Sequence, residues 1–214
     1  MKKTFIIISF VVGVLFLIKP VQAFDVRTNH TGFFFYGMGG MMLLDHDTNV
    51  DNGIRFGGDL ESGFGLGLGY NITNWIAPEL QIAYSTSTGQ TSGGQGREHA
   101  LNIRLNAKVS FLTSQAEKDK NVKIYPYVKV GGVAHGLFVN APVDDDKVGA
   151  FGGGVSLGGG VELNYRALFI ALDFANDLLF LQEEREDVAG VDTLIIRGGF
   201  DYQLSLMGAI GVHF

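Results

Sequence analysis

The chain has 214 residues, 46% of them hydrophobic, with 31 glycines, no cysteine and a formal net charge of −6 at pH 7. An acidic chain without a basic run is a poor partner for nucleic acid. Without cysteine, an exported chain of this size must hold itself together by something other than disulfides.

The N-terminus reads as an export signal. Lys2 and Lys3 precede an apolar run from Phe5 to Ile18, and Val21-Gln22-Ala23 supplies small residues at a cleavage site. The run is shorter than the roughly 20 apolar residues that a membrane helix needs. The expected organisation is a signal peptide over 1–23 and one domain over 24–214, with no lipid-anchoring cysteine. Residues 1–23 carry three lysines and no acid, so residues 24–214 carry a net charge of −9. No later stretch is long and apolar enough for a membrane helix, and any spanning structure must be built from strands.

The first strand is expected from about Thr31 to Leu44. Its FFFYGMGGMMLL run is apolar on both faces, so its inward side is not assigned. The second sets Phe64, Leu66, Leu68 and Tyr70 against Gly63, Gly65, Gly67 and Gly69. The third sets Ile76, Pro78, Leu80, Ile82 and Tyr84 against Ala77, Glu79, Gln81 and Ala83, and a polar loop is expected over 85–98. The fourth alternates from Leu101 to Phe111 against Asn102, Arg104, Asn106, Lys108 and Ser110. The fifth alternates from Val122 to Ala134, with Lys123, Tyr125, Tyr127 and Lys129 on the other face. A loop over 135–149 follows. The sixth, Phe151 to Leu163, and the seventh, Leu168 to Phe174, flank a tight turn at 164–166. An acidic loop containing Glu183 to Asp187 precedes the eighth strand, Tyr202 to Phe214.

In strands two to eight the apolar face carries no charged residue, whereas the opposite faces hold Glu79, Arg104, Lys108, Lys123, Lys129, Glu162 and Asp173. A cation facing lipid at the midplane costs about 2–4 kcal/mol, which is the penalty that selects such a pattern. The fold class is therefore all-β: an eight-stranded antiparallel up-and-down transmembrane β-barrel. Short turns face one side and long loops the other, with both termini on the short-turn, periplasmic side. Pro78 and Pro126 fall inside strands, where each removes a ladder hydrogen bond, so a bulge or frayed pairing is expected at both. Tyr70, Trp75, Phe111, Tyr165 and Phe214 form an expected lower aromatic girdle.

The stretches GLGLGYNITNWIAPELQIAY, YPYVKVGGVAHG, GGGVSLGGGVEL and the final GVHF resemble the small eight-stranded outer-membrane proteins: the OmpX/Ail group, the OmpA transmembrane domain and OmpW-like barrels. The resemblance covers nearly all of 24–214. It implies a bacterial outer-membrane location, and it implies that Phe214 is the C-terminal signal read by the barrel-insertion machinery. Nothing after the last strand resembles a peptidoglycan-binding domain.

An eight-stranded barrel is just wide enough to be filled by its own side chains. Glu79, Arg104, Lys108, Lys129 and Asp173 are expected to point inward as a charge network, either a fixed filling or a gate whose ion pairs exchange partners. The inward set of the last strand, Gln203 to Gly211, is uncharged, so slack is expected beside it. Asp45, Asp47, Asn49 and Asp51 space oxygen ligands as calcium loops do. However, Val50 stands where glycine is needed and no glutamate closes the loop, so neither a metal nor a cofactor is expected. His46, His99 and His135 have no catalytic partner at a recognisable spacing. The nearest hydroxyls are Ser85 and Ser92.

The functional expectation is a non-enzymatic barrel with an envelope-supporting or loop-mediated role. The alternative is a narrow pore for ions or small hydrophobic solutes, with a lipid A-modifying enzyme behind both. Expected partners are outer-membrane lipids, lipopolysaccharide and the insertion machinery. The expected state is monomeric.

Overall fold

The computed structural model describes residues 31–45, 60–73, 75–91, 94–111, 122–140, 147–182, 184–188, 191–196 and 198–214. The expected signal peptide, His46, Ser92 and most of the Asp45–Asp51 spacing lie outside them.

Among the described residues ten strands follow one another: β1 (Gly32–Asp45), β2 (Leu60–Asn71), β3 (Ile76–Thr91), β4 (Gly94–Ser110), β5 (Val122–Asn140), β6 (Lys147–Tyr165), β7 (Leu168–Leu181), β8 (Glu184–Val188), β9 (Val191–Ile196) and β10 (Gly199–His213). Eight close a barrel in the order β1-β10-β7-β6-β5-β4-β3-β2, and β8–β9 form a separate two-stranded sheet. Every barrel pair is antiparallel. The closing pair runs from Phe34 opposite His213 to Asp45 opposite Tyr202.

Three strand pairs rise higher than the alternation indicates. The expected polar loop over 85–98 is instead the top of a hairpin, paired up to Thr91 opposite Gly94. The β5–β6 hairpin continues to Asn140 opposite Lys147, inside the expected 135–149 loop. Ser, Thr, Gly and Gln carry the upper β3–β4 rungs, so no apolar alternation marks the strand there, whereas the upper β5–β6 rungs carry Leu137, Phe138, Val139 and Val148. The acidic loop likewise contains the β8–β9 sheet. Glu184 faces Ile196 in the register in which Leu181 faces Gly199. From Arg185, opposite Leu194, the β8–β9 pairing is shifted by one residue through an irregularity between Glu184 and Arg185.

Alternation fixes which side meets lipid. Phe64, Leu66 and Leu68 on β2, Leu105 on β4 and Ile210 on β10 are exposed on the outer face, while Glu79, Gln81, Asn102, Arg104 and Lys129 are buried inside. In β1, Phe34, Tyr36, Met38 and Met42 point inward and Phe33, Phe35 and Met41 outward. This phase is set by the neighbouring strand. A Cβ on Gly67 would stand 2.0 Å from the Tyr36 ring, and one on Gly69 would stand 2.1 Å from the Phe34 ring. β2 gives up its inward side chains so that β1 can place large ones. With Phe169 and Met207 these side chains form the apolar core. Around Met207 these large side chains occupy the space beside β10.

The two strand prolines sit where a ladder stops, and the register shows no bulge at either. The Trp75 carbonyl accepts from Ser110 of β4, so alternation turns Pro78 toward β2. The β2–β3 ladder has already ended there, at Gly69 opposite Glu79. The Pro126 carbonyl accepts from Phe111 at 2.7 Å, so its missing N–H faces β4. That ladder's last pair is Ser110 opposite Tyr127. Tyr70, Trp75, Tyr165 and Phe214 are all exposed at the turn end of the barrel, with Phe111 half-buried there.

Candidate functional site: the barrel lumen

Antiparallel pairing places inward side chains of β3 to β7 across a narrow interior. Lys129 on β5 sits between Glu79 on β3 and Asp173 on β7. Its Nζ donates to Glu79 Oε1 at 3.2 Å and to Asp173 Oδ2. Tyr127 donates its hydroxyl to the same Asp173 oxygen at 2.7 Å. Beside this layer the Gln81 amide donates to the Tyr36 hydroxyl at 2.6 Å, which ties the ionic side of the lumen to the aromatic side.

Nearer the turn end, Lys108 Nζ meets Glu162 Oε2 at 2.6 Å and lies over the Tyr127 ring at 4.4 Å and the Phe34 ring at 5.2 Å. Aromatic faces favour a desolvated ammonium, so the pair has support beyond its single carboxylate. His213 Nε2 stands 3.3 Å from the other Glu162 oxygen, and its ring packs 4.8 Å from that of Phe169.

Toward the tall hairpins, Arg104 donates through Nε at 2.8 Å and Nη2 at 2.6 Å to Asp177 Oδ2. Asn102 Oδ1 lies 2.7 Å from His135 Nδ1, and Ser85 donates to Glu61 Oε2.

All five residues singled out from the sequence are buried inside the barrel. Lys129, Glu79 and Asp173 come together. Arg104 and Lys108 pair instead with Asp177 and Glu162. Asp177 lies beyond Phe174, where the expected seventh strand ends, and continuing the alternation Asp173, Ala175, Asp177 reaches it. Glu162 is on the expected inward face of the sixth strand and joins the network through Lys108.

Several buried polar atoms on inward positions near the Arg104–Asp177 pair have no partner among the described residues: Asp177 Oδ1, both amide atoms of Gln203, Gln81 Oε1, Asn102 Nδ2 and Asn106 Oδ1. Each such group left dry costs about 1–3 kcal/mol.

Among the described residues no group of three His, Asp or Glu side chains is placed to hold a metal. His135 is enclosed in the lumen, away from lipid, and Ser85 is committed to Glu61. His99 stands on the outer face with Nδ1 2.5 Å from the Tyr84 hydroxyl.

The family model described as "Outer membrane protein beta-barrel domain" matches residues 11–203. No curated protein matches the chain. Among solved structures, Ail, the attachment invasion locus protein of Yersinia pestis, in complex with the heparin analogue sucrose octasulfate, is similar at 11% identity. The match covers 86% of this chain and 99% of that one, with a TM-score of 0.51. Neisserial surface protein A is similar at 13% identity, over 86% and 98% of the two chains, with a TM-score of 0.50. The outer membrane protein OprG of Pseudomonas aeruginosa is similar at 15% identity, over 86% and 97%, also with a TM-score of 0.50. At these identities the likeness is one of fold.

Proposed function

The chain belongs to the outer membrane protein β-barrel domain family, and on that premise we propose that it is a non-enzymatic, monomeric barrel of the bacterial outer membrane. In this reading it supports the envelope and presents its tall hairpins to partners, and its lumen is closed. The observation that carries the reading is the layer across the middle of the lumen. Lys129 is held between Glu79 and Asp173, with Tyr127, Gln81 and Tyr36 hydrogen-bonded beside it. The apolar cluster of Phe34, Phe169 and Met207 fills the remaining side. A buried cation with two carboxylate partners is a structural filling that removing one partner would destabilise.

Its partners are the lipids around the apolar outer face, lipopolysaccharide beside the hairpins and, during assembly, the barrel-insertion machinery. Phe214 stands 79% exposed at the rim, open to such a reader. The net charge of −6 argues against a polyanionic ligand like the heparin analogue bound to Ail. The burial of His135 and the engagement of Ser85 by Glu61 argue against lipid chemistry at those candidates.

Planar-bilayer recording of the purified protein tests the reading. The expected trace is silent, both for the unaltered chain and for Lys129→Ala. Discrete openings in the unaltered protein whose size changes in Lys129→Ala would replace the closed barrel with a narrow pore.

A further inference from the structure

We propose that the closing seam of the barrel carries a thioether site for one soft monovalent cation of the Cu(I) or Ag(I) class, formed by Met38, Met42 and Met207. Met38, Gly40 and Met42 are consecutive inward positions of β1, and Met207 on β10 faces Gly40. Gly40 has no room for a side chain, since a Cβ there would stand 2.1 Å from the Leu206 carbonyl oxygen. Gly63 of β2 faces Gly40 from the other side. The two glycines leave a recess in the inner wall, and the methionines lean over it. A Cβ on Gly63 would stand 3.0 Å from Met207 Cε and 3.1 Å from Met42 Sδ. One on Gly65, the next inward position of β2, would stand 2.7 Å from Met38 Cε. Three thioethers from two strands thus converge on one side of the lumen, each at most 6% exposed. Met41, the other methionine among the described residues, points to lipid and is 54% exposed.

The ligand type names the class of ion. Leucine would fill such a recess with fewer rotamers to order. A thioether adds a soft lone pair, the donor that selects Cu(I). It brings no charge, so the ion it suits is monovalent. Divalent ions take carboxylate or imidazole ligands, and the described His, Asp and Glu side chains form no group of three. The interior also favours a positive guest. Of the described buried side chains six are Asp or Glu and three are Lys or Arg, an imbalance that attracts cations. No cysteine elsewhere in the chain competes for a soft ion.

The position of the site gives binding a consequence. Its ligands come from the first and last strands of the barrel and meet only when the barrel closes. A bound ion ties β1 to β10 and stabilises the closed form by mass action.

Refolding the whole protein into detergent micelles with silver nitrate, in chloride-free buffer, tests this. Silver(I) is the probe because it shares the thioether preference of Cu(I) and keeps one oxidation state. With isotope-labelled methionine methyl groups, the signals of Met38, Met42 and Met207 are expected to move together and to saturate at one silver per chain. The Met41 signal is expected to stay in place. The urea midpoint of unfolding is expected to rise with silver. Met207→Leu is a swap of similar volume that keeps the packing. In it the affinity for silver is expected to fall by at least about tenfold, the loss that even an outer-shell change brings, and the midpoint to stop responding. Stationary methyl signals, a shift at Met41 alone, a midpoint indifferent to silver, or a Met207→Leu barrel that responds like the unaltered one overturns the site. Conductance decides the closed-barrel reading separately: a barrel that conducts and still binds silver loses that reading and keeps the site.

Discussion

Two residue-level contacts decide how this lumen is filled. Gly67 exists in its present form because the Tyr36 ring occupies the place of its side chain, 2.0 Å from where a Cβ would sit. Tyr36 cannot swing away without giving up its bond from Gln81. Gly67→Ala is expected to destabilise the barrel by about 1–3 kcal/mol, the usual cost of overpacking. Gly67→Ala combined with Tyr36→Leu is expected to recover most of that loss, and urea titration followed by tryptophan fluorescence reads both. The Arg104–Asp177 pair behaves differently because its members are charged. Asp177→Ala strands a guanidinium in a buried site and is expected to cost about 3–5 kcal/mol. Arg104→Met with Asp177→Leu leaves no charge behind and is expected to come out close to neutral in the same titration. A double variant as weak as the single one would show that the pair supplies net stability.

At the scale of strands, the lipid wrote the legible part of the sequence. The phase of strands two to eight is legible because an outward charge is penalised, so Leu101, Ile103 and Leu105 alternate unmistakably with Asn102, Arg104 and Asn106. Where that penalty ends, the signal ends. Ser87 to Thr91 pair with Gly94 to Glu98 through backbone bonds that leave no mark on residue type. β1 was unreadable for another reason. Its inward face is as apolar as its outward one, and the choice between them rests on the glycines of β2, a strand away. The same limit hid Asp177, beyond the apparent end of the seventh strand. The prolines show backbone requirements at work, since both point their missing N–H past the end of a ladder. Pro78→Leu is therefore expected to be tolerated. Leu80→Pro moves the defect to a position paired with Leu68 on β2. An unsatisfied backbone group in lipid costs several kcal/mol, so this variant is expected to lose the compact band that folded barrels show on unheated SDS gels.

The whole molecule divides into a lipid-embedded barrel and a set of hairpins that overshoot it. β5 and β6 have 19 residues each, a strand length of about 60 Å at ~3.3 Å per residue. Tilted by roughly 40°, they rise some 45 Å, against an apolar band of about 25 Å. On β4 the apolar outer face stops at Leu101, with His99 and Arg97 above it. Closure of the barrel depends on the ladders within the band. At the top, β3 and β4 pair with each other, and β4 reaches β5 no higher than Arg97 opposite Asn140. The hairpin tip is thus free to serve partners without holding the barrel shut. Ser87 and Glu98 face each other in register, and a two-residue Asn-Gly turn can join such a pair in place of 88–97. The shortened protein is expected to keep the compact gel band and a urea midpoint equivalent to within about 1 kcal/mol, the scale on which hairpin rungs contribute. A collapse of the midpoint would make the tip part of the fold rather than a platform carried by it, and the division of labour between barrel and hairpins would fail with it.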